Sequence, residues 1–289
     1  MPAICPSCKF QYPTDSPHCL RCGLPPPGRR GFPNVLLTRR RGERKKLVDR
    51  YKQAINESEK AGTLRRVRAF ENEVLNEARL ITACMHYKFF PLGQRDDGVF
   101  PTFQQLFHAE LTFAGDDPNN RDRLVAEEAI LPGCSERIHF AAVAINDVGI
   151  YHYGKYFLIW DLAMVRHRTT LFIANCLTWQ KENNLDLEIP APPGNRSSWE
   201  DRALLAVVKC AASIKKRTRS SEFARLLLKN RRRKNEYDVF IEGHIWGPLT
   251  RRSLAKVIYT GREDSRAMQL LAEEIADELR AMGIDVEGV

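Results

Sequence analysis

Four cysteines near the N-terminus have the spacing of a metal site. They are Cys5, Cys8, Cys19 and Cys22, in the arrangement C-x2-C-x10-C-x2-C. Each C-x2-C pair lets a tight turn direct two thiolates at one ion, and four thiolates complete the tetrahedral shell that Zn²⁺ prefers. Such a shell leaves no open position, so we expect a structural zinc ribbon. Two roles stay open for it: it either only stabilises the fold of this segment, or it also forms a small binding surface for nucleic acid or protein.

A single carboxylate interrupts an apolar segment late in the chain. Glu242 lies between Ile241 and Ile245 in a pattern that predicts a strand, and a Gly-Pro turn follows at residues 247–248. Burying a carboxylate is costly unless it is hydrogen-bonded or faces a cleft. Glu242 therefore lies either on the polar face of an alternating strand or in a cleft where it does chemistry.

The residues around Glu242 also resemble a known family. The sequence Ile-Glu-Gly-His-Ile-Trp-Gly-Pro at 241–248 is similar to the catalytic strand of some bacterial ADP-ribosyltransferases and a group of uncharacterised relatives. Residues 137–146 resemble a core strand of that family, and 153–160 its Tyr-Gly turn with the following strand. Residues 168–172 resemble its Arg-x-Thr-Phe strand. The four segments occur in the family's order, within roughly residues 80–260.

The resemblance implies both a fold and a reaction. The fold would be α+β, an ADP-ribosyltransferase-like mixed β core with peripheral helices. A zinc ribbon at residues 1–24 and a basic, proline-rich linker at 25–41 would precede a catalytic domain at 42–289, whose helical lead-in is 42–85. The reaction would be mono-ADP-ribosyl transfer from NAD⁺. Glu242 would stabilise the ribosyl cation, and His244 would either assist the acceptor or fill a structural role.

The resemblance further implies a set of residues that contact NAD⁺. The candidates are Tyr151, Tyr153, Gly154, Arg168, Thr169, His86 and Arg137. A tyrosine at the Tyr-Gly turn would stack on the nicotinamide, and Arg168 would bind the pyrophosphate through two parallel hydrogen bonds. His86 or Arg137 would contact the nucleotide half. Each has a plain alternative as a packed or surface side chain.

The strongest basic segment precedes Glu242. Residues 209–234 contain Glu222 as their single acidic residue. The candidate nucleic-acid contacts are Lys215, Lys216, Arg217, Arg231, Arg232 and Arg233. Cations that converge beside the site would attract a phosphate-bearing substrate, although a charged run is often only a solvated helix face.

The overall charge favours an anionic partner. The chain has 45 Lys and Arg against 36 Asp and Glu, a net charge of +9. We therefore expect RNA or DNA as the acceptor. The resemblance to nucleic-acid-modifying bacterial transferases further implies a toxin of a toxin–antitoxin or phage-defence system, with an antitoxin as a partner. The alternatives are a non-catalytic zinc-ribbon nucleic-acid-binding protein and an ADP-ribosyltransferase that acts on protein.

Length and composition allow a sizeable core. The chain has 289 residues, of which 43% are hydrophobic. No apolar run is long enough to span a bilayer, and the N-terminus lacks the apolar segment of a signal peptide. We therefore expect a cytoplasmic protein with no membrane contact.

Hydrophobic periodicity predicts the elements that would position these residues. The predicted helices are at 43–60, 63–85, 120–130, 202–217, 220–230 and after residue 264 or 265. The predicted strands are at 138–145, 156–162, 169–177, 239–245 and 253–259.

Overall fold

The computed structural model describes residues 3–5, 9–12, 19, 31–40, 42–93, 98–109, 118–183, 191–231, 237–261 and 265–288. The strands are β1 (Ala3–Ile4), β2 (Gln11–Tyr12), β3 (Arg79–Cys84), β4 (Val99–Phe100), β5 (Ile138–Ala144), β6 (Tyr156–Trp160), β7 (Thr169–Phe172), β8 (Arg196–Ser198), β9 (Glu242–Trp246), β10 (Leu249–Thr250), β11 (Leu254–Tyr259) and β12 (Asp285–Glu287). The helices are α1 (Pro33–Thr38), α2 (Glu43–Lys60), α3 (Leu64–Glu77), α4 (His86–Gly93), α5 (Phe103–His108), α6 (Pro118–Ile130), α7 (Leu162–Val165), α8 (Cys176–Asn183), α9 (Arg202–Cys210), α10 (Phe223–Leu227) and α11 (Arg266–Ala281).

An eight-stranded mixed sheet forms the centre of the molecule. Its strand order is β12-β11-β6-β3-β5-β9-β7-β8, and β11 and β12 are its parallel pair while the other neighbours are antiparallel. Strand β9, which begins with Glu242, lies between β5 and β7. Two short pairs, β1 with β2 and β4 with β10, lie outside this sheet. The combination of helices with a mixed sheet agrees with the predicted α+β class.

One face of the sheet is covered by helices. Leu80, Ala141, Val143, Leu171 and Ile245 point to this face and belong to the largest buried cluster. Helices α2, α3, α9 and α11 contribute their apolar stripes to the same cluster. Because successive strand residues alternate between faces, the pairing of Gly243 with Ala141 and Leu171 sends Glu242 to the opposite face.

The face that carries Glu242 has two separate coverings. On β5, β9 and β7, helices α1, α6 and α8 pack over a cluster that includes Ile138 and Phe172. On β3 and β6, the loop after β5 and the segment before β9 supply Ile150, Leu228 and Phe240. Glu242 pairs with Ala142 on one side and Phe172 on the other, so it lies at the boundary between the two coverings.

The prediction of one helix over 63–85 is wrong in its last third. Helix α3 ends at Glu77, and residues 79–84 form the interior strand β3. Leu80 and Ile81 are both buried because this strand is covered on its two faces. A strand buried on both faces has no alternating pattern, so its apolar residues continued the helical spacing of Val67 to Ala78.

Residues 33–38, inside the predicted linker, form helix α1. Pro33 begins the helix, where its missing N–H is not needed. Asn34 is fully buried, and its Nδ2 donates to the backbone oxygens of Arg168 at 3.0 Å and His244 at 2.9 Å. This part of the chain is therefore fixed against the sheet beside β7 and β9. Residues 25–30 and 41 lie outside the described residues.

The other predicted elements are found with shifted ends. Strands β5, β6, β7 and β11 and helices α2 and α6 lie within or next to their predicted ranges. The final helix is capped by Ser265, whose hydroxyl accepts from the backbone N–H of Met268. The predicted strand 169–177 ends at Phe172, and the predicted helices 202–217 and 220–230 shorten to α9 and α10 with short 3-10 turns. Among the helices in the described ranges, none has the length and apolar character needed to cross a bilayer.

Candidate active site

Glu242 is a buried carboxylate held by three hydrogen-bond donors. It is 4% exposed. Its Oε1 accepts from Asn175 Nδ2 at 3.2 Å, and its Oε2 accepts from the Cys176 backbone N–H at 3.1 Å and lies 3.1 Å from His244 Nε2. Both oxygens accept hydrogen bonds, and these contacts replace much of the hydration lost on burial. Glu242 is therefore not a residue of an outer polar face.

The N-terminus of helix α8 supplies two of these donors. Asn175 is the N-cap residue, since its Oδ1 accepts from the backbone N–H of Thr178 at 3.1 Å. Cys176 is the first residue of the helix, and its N–H has no intrahelical acceptor available. The positive end of the helix dipole thus faces the carboxylate, which is a favourable position for a negative charge.

Asn175 also connects Glu242 to Tyr153. The Asn175 Nδ2 lies 3.4 Å from the Tyr153 hydroxyl, and Tyr153 is 39% exposed. Tyr153 ends a 3-10 turn that leads into Gly154, where φ is +150°. A Cβ at Gly154 would lie 2.0 Å from the backbone carbon of Cys84, so glycine lets this turn approach the end of β3. Tyr153 is thus connected to Glu242 through Asn175, and a role of Tyr153 and Gly154 in binding NAD⁺ stays a prediction.

His244 orients the carboxylate from the same strand. It is 1% exposed and lies two residues after Glu242, so both side chains point to one face. Its ring packs edge-on against Phe140, with centroids 5.3 Å apart, and its backbone oxygen accepts from Asn34. With Nε2 on the carboxylate and the ring packed on aromatics, His244 has the contacts of a positioning residue.

A second buried carboxylate lies near Glu242 and was not predicted from the sequence. Glu127 is fully buried on α6 and accepts from Arg123 Nε at 2.6 Å and Gln104 Nε2 at 3.1 Å. Burial raises the pKa of Glu127, the Arg123 charge lowers it, and the Glu242 charge raises it further. The two carboxylates therefore feel each other's charge. An Arg and a Glu four residues apart on a predicted helix were the available sequence signal.

Arg123 covers part of the sheet beside this pair. Its guanidinium lies over the ring of Phe103, 3.9 Å from the centroid, and 5.2 Å from the centroid of Phe140. Such contacts fix a cation on aromatic faces while leaving one side of it available to solvent or ligand. The Arg123 side chain is 27% exposed, so it forms part of the surface next to Glu242.

A strip of the sheet near Glu242 is incompletely covered by the described residues. Phe140 on β5 and Ala83 on β3 share the Glu242 face but are only half-buried, although both strands are interior. Partly exposed side chains of Tyr153, Asn175 and Arg123 surround this strip. This strip therefore combines partly exposed apolar side chains with partly exposed polar ones, which is the usual composition of a ligand site.

Arg168 and Thr169 lie outside the Glu242 cluster. Arg168 is fully buried, and its guanidinium donates to the backbone oxygens of Met164, at 3.1 Å, and Trp246. Thr169 donates its hydroxyl hydrogen to the Val165 oxygen at 2.8 Å. Both side chains join α7 to the sheet, so their contacts are those of structural residues.

His86 and Arg137 occupy two further positions. His86 begins α4 directly after the strand end that Gly154 approaches, and its half-buried ring is 5.6 Å from that of Phe90. Arg137 is exposed and lies 5.8 Å from the centroid of Trp246, at the far end of β9 from Glu242. His86 is therefore close to the Tyr153 turn, whereas Arg137 is not in the Glu242 cluster.

The predicted nucleic-acid contacts separate onto two faces. Lys215, Lys216 and Arg217 are exposed, and the Lys216 side chain lies against Gly62 at the turn between α2 and α3. Those helices cover the face opposite to Glu242. Arg231 lies on the Glu242 side, with a guanidinium nitrogen 2.8 Å from His152 Nε2. Arg232 and Arg233 lie outside the described residues.

Two members of the predicted cysteine set, Cys5 and Cys19, lie within the described residues. Both are fully buried, and the Cys5 backbone N–H donates to the Phe10 oxygen at 2.9 Å. Cys8 and Cys22 lie outside the described residues. Within the described ranges no group of three or more His, Cys, Asp or Glu side chains forms a metal site. The tetrathiolate site stays a prediction from the sequence.

Comparisons with known proteins return no match, neither to a family model nor to a curated protein. We therefore infer function from the contacts described above, together with the sequence resemblance.

Proposed function

We propose that this chain is a NAD⁺-dependent mono-ADP-ribosyltransferase whose catalytic residue is Glu242. The observation that carries the proposal is the carboxylate itself. It is buried, held by three donors at the end of a helix, and one asparagine away from the partly exposed Tyr153. A pre-oriented carboxylate beside a partly exposed aromatic ring is what the cleavage of a glycosidic bond to a charged base requires.

The reaction breaks the bond between ribose C1′ and the nicotinamide nitrogen. The bonding electron pair leaves with nicotinamide, which becomes neutral, and positive charge develops on the ribose ring. Glu242 would accept a hydrogen bond from a ribose hydroxyl and stabilise this charge. The acceptor then attacks C1′ and loses its proton. A carboxylate oxygen accepts two hydrogen bonds, so the Oε1 that receives Asn175 has capacity for the ribose hydroxyl.

The surrounding residues have distinct supporting roles in this proposal. Tyr153 offers an aromatic face for the nicotinamide, at the edge of the incompletely covered strip. Asn175 and His244 hold the carboxylate in one orientation, as positioning residues. Arg168 and Thr169 are given no role in this proposal, because Nε and Nη1 of Arg168 and the hydroxyl of Thr169 donate to backbone oxygens.

The acceptor in this proposal is RNA or DNA. It is supported by the net charge of +9 and by the basic segment that precedes β9. The zinc ribbon would add a second platform. A role as a toxin of a toxin–antitoxin or phage-defence system, with an antitoxin that silences it, follows from the sequence resemblance alone.

Label transfer tests the proposal. The full-length protein is incubated with NAD⁺ labelled in its adenylate phosphate and with RNA, single-stranded DNA, duplex DNA or cell lysate. The variants are Glu242→Gln and the control Glu274→Gln, which makes the same change at an exposed position on α11. We expect label on nucleic acid with wild type and control, reduced by about a hundredfold or more in Glu242→Gln.

Other results decide between the alternatives. Label on protein alone would make the chain a protein-directed transferase. Salt-sensitive nucleic-acid binding with no NAD⁺ consumption under any condition would make it a non-catalytic binding protein, with Glu242 serving only to anchor α8.

A further inference from the structure

A recess with a basic border lies on the same face of the sheet as Glu242. It has a volume of about 430 Å³ and is lined by Asn146, Val148, Arg225, Lys229, Asn230 and Arg231, among others. The residues come from the loop after β5 and from the segment that follows α10. This is the segment whose Leu228 is buried over β3 and β5, so the recess is fixed to the sheet.

The cations of this recess are available for a ligand. Arg225 and Lys229 are exposed, and within the described ranges neither forms an ion pair with an acidic side chain. The backbone of Lys229 is held by two hydrogen bonds with Val239, at 2.8 and 2.9 Å. The result is a pair of exposed side-chain charges next to a hydrogen-bonded backbone, which suits contacts to phosphate.

The recess is joined directly to the turn that carries Tyr153. Asn230 Oδ1 accepts from the Tyr151 backbone N–H at 2.8 Å, and Asn230 Nδ2 donates to the Gly149 oxygen at 3.1 Å. Tyr151 is 56% exposed, two residues before the tyrosine that Asn175 connects to Glu242. A chain bound in the recess would therefore meet an exposed aromatic ring and then the candidate active site.

We propose that this recess, bordered by Arg225, Lys229 and Arg231 with Tyr151 beside it, binds a single-stranded segment of the nucleic-acid acceptor. The cations contact backbone phosphates, and Tyr151 stacks on a base. That the bound strand leads toward Glu242 rests on the proposed function, whereas the binding of a single strand in the recess does not.

The geometry favours a single strand over a duplex. Stacking on Tyr151 requires an unpaired base, and every base offers a face for it. Lys215, Lys216 and Arg217 do not belong to this path, because Lys216 lies against the helices of the opposite face. They provide a matched control for charge.

Fluorescence anisotropy of the full-length protein tests the proposal. The probes are a labelled 20-nucleotide oligo-dT and a duplex of the same length, each titrated at several salt concentrations. The two charge variants are Arg225→Gln with Lys229→Gln, and Lys216→Gln with Arg217→Gln. Each removes one arginine and one lysine from exposed positions, so the net charges of the variants are equal. The third variant is Tyr151→Ala.

We expect the recess variant to bind the single strand on the order of tenfold more weakly and to lower the salt slope by about 1.4, the value for two lost phosphate contacts. The control variant should change affinity by less than about threefold. Tyr151→Ala should weaken single-strand binding by about fivefold or more and duplex binding much less. Equal effects of the two charge variants, or no effect of Tyr151→Ala, would overturn the proposal.

Release of nicotinamide to water, measured on the same variants, separates this proposal from the proposed function. If the transferase exists, the recess variant keeps NAD⁺ hydrolysis but loses transfer to the oligonucleotide, whereas Glu242→Gln loses both. If wild type consumes no NAD⁺, the anisotropy results still decide whether the recess binds single strands. A polyglutamate peptide that displaces the oligonucleotide at equal charge concentration would show an acidic protein as the ligand and overturn the nucleic-acid assignment.

Discussion

Replacing Asn175 by aspartate should make the stability of the protein depend on pH in a predictable way. Asn175 Nδ2 donates to Glu242 Oε1 at 3.2 Å, while its Oδ1 caps α8 through Thr178. Aspartate is as good an N-cap as asparagine, so Asn175→Asp keeps the cap. It replaces the donor with a second carboxylate oxygen that faces Glu242.

The size of the effect follows from two limits. Two negative charges at 3.2 Å repel by about 5 kcal/mol at an effective dielectric constant of 20. Protonating one carboxyl at pH 7 costs about 4 kcal/mol, because its ordinary pKa lies about three units lower. Protonation is the smaller cost, so it caps the loss of unfolding free energy at about 4 kcal/mol at pH 7.

The sign of the pH dependence follows from proton binding. The folded variant carries one proton that the unfolded chain has released, so its unfolding free energy falls as pH rises. Relative to wild type, the deficit should shrink by about 1.4 kcal/mol for each unit by which the pH is lowered, from about 4 at pH 7 to about 1.2 at pH 5.

Urea denaturation at pH 5, 6 and 7 measures this deficit. Asn175→Ser is the matched control, since serine also caps a helix but brings no charge. It should cost about 1–2 kcal/mol at every pH, for the lost hydrogen bond to a charged group. A deficit for Asn175→Asp that stays constant between pH 5 and 7 would refute the placement of Asn175 against an ionised Glu242.

Three further predictions concern other groups. Burial and Arg123 lower the pKa of Lys88 to about 8, so the folded protein binds fewer protons than the unfolded chain between about pH 8 and 10.5. In this pH range the unfolding free energy of the protein should rise by up to about 1.4 kcal/mol per pH unit. Urea titrations of Lys88→Met should not show this rise. Burial and the Arg168 charge lower the pKa of His139 to about 3. Below about pH 6.5 the unfolded chain therefore binds one proton more than the folded protein. The unfolding free energy should decrease by about 1.4 kcal/mol for each unit by which the pH is lowered, and His139→Leu should remove this decrease. Metal analysis should find about one Zn²⁺ per chain and little in Cys5→Ser; a wild-type protein without zinc would contradict the tetrathiolate prediction.

The fold was predictable from sequence where an element has one exposed face. Helix α11 and strand β11 have a buried and a solvent-exposed side, so their periodicity is visible in the sequence. Strand β3 has two buried sides, so its apolar residues look like the continuation of the preceding helix. Helix α1 is short, and what fixes it is a side chain, Asn34, that bonds two distant backbone oxygens. No local pattern encodes such a contact.

The candidate site was predictable only in part, for a similar reason. Glu242 and Tyr153 belong to short motifs, which sequence comparison by eye can find. Asn175, Arg123 and Glu127 come from two helices whose relation to β9 is set by packing over the sheet. Arg168 illustrates the opposite problem. In the sequence, an arginine before a strand looks like a residue that binds phosphate. Its burial and its hydrogen bonds to backbone oxygens become visible only in the folded chain.

Nicotinamide release from NAD⁺ labelled in the carbonyl of its nicotinamide tests the role of Glu242 most directly, because it requires no knowledge of the acceptor. Wild type and Glu274→Gln should release label at similar rates, and Glu242→Gln should be slower by about a hundredfold or more while remaining folded. Release by Glu242→Gln at the wild-type rate would show that the buried carboxylate takes no part in the chemistry.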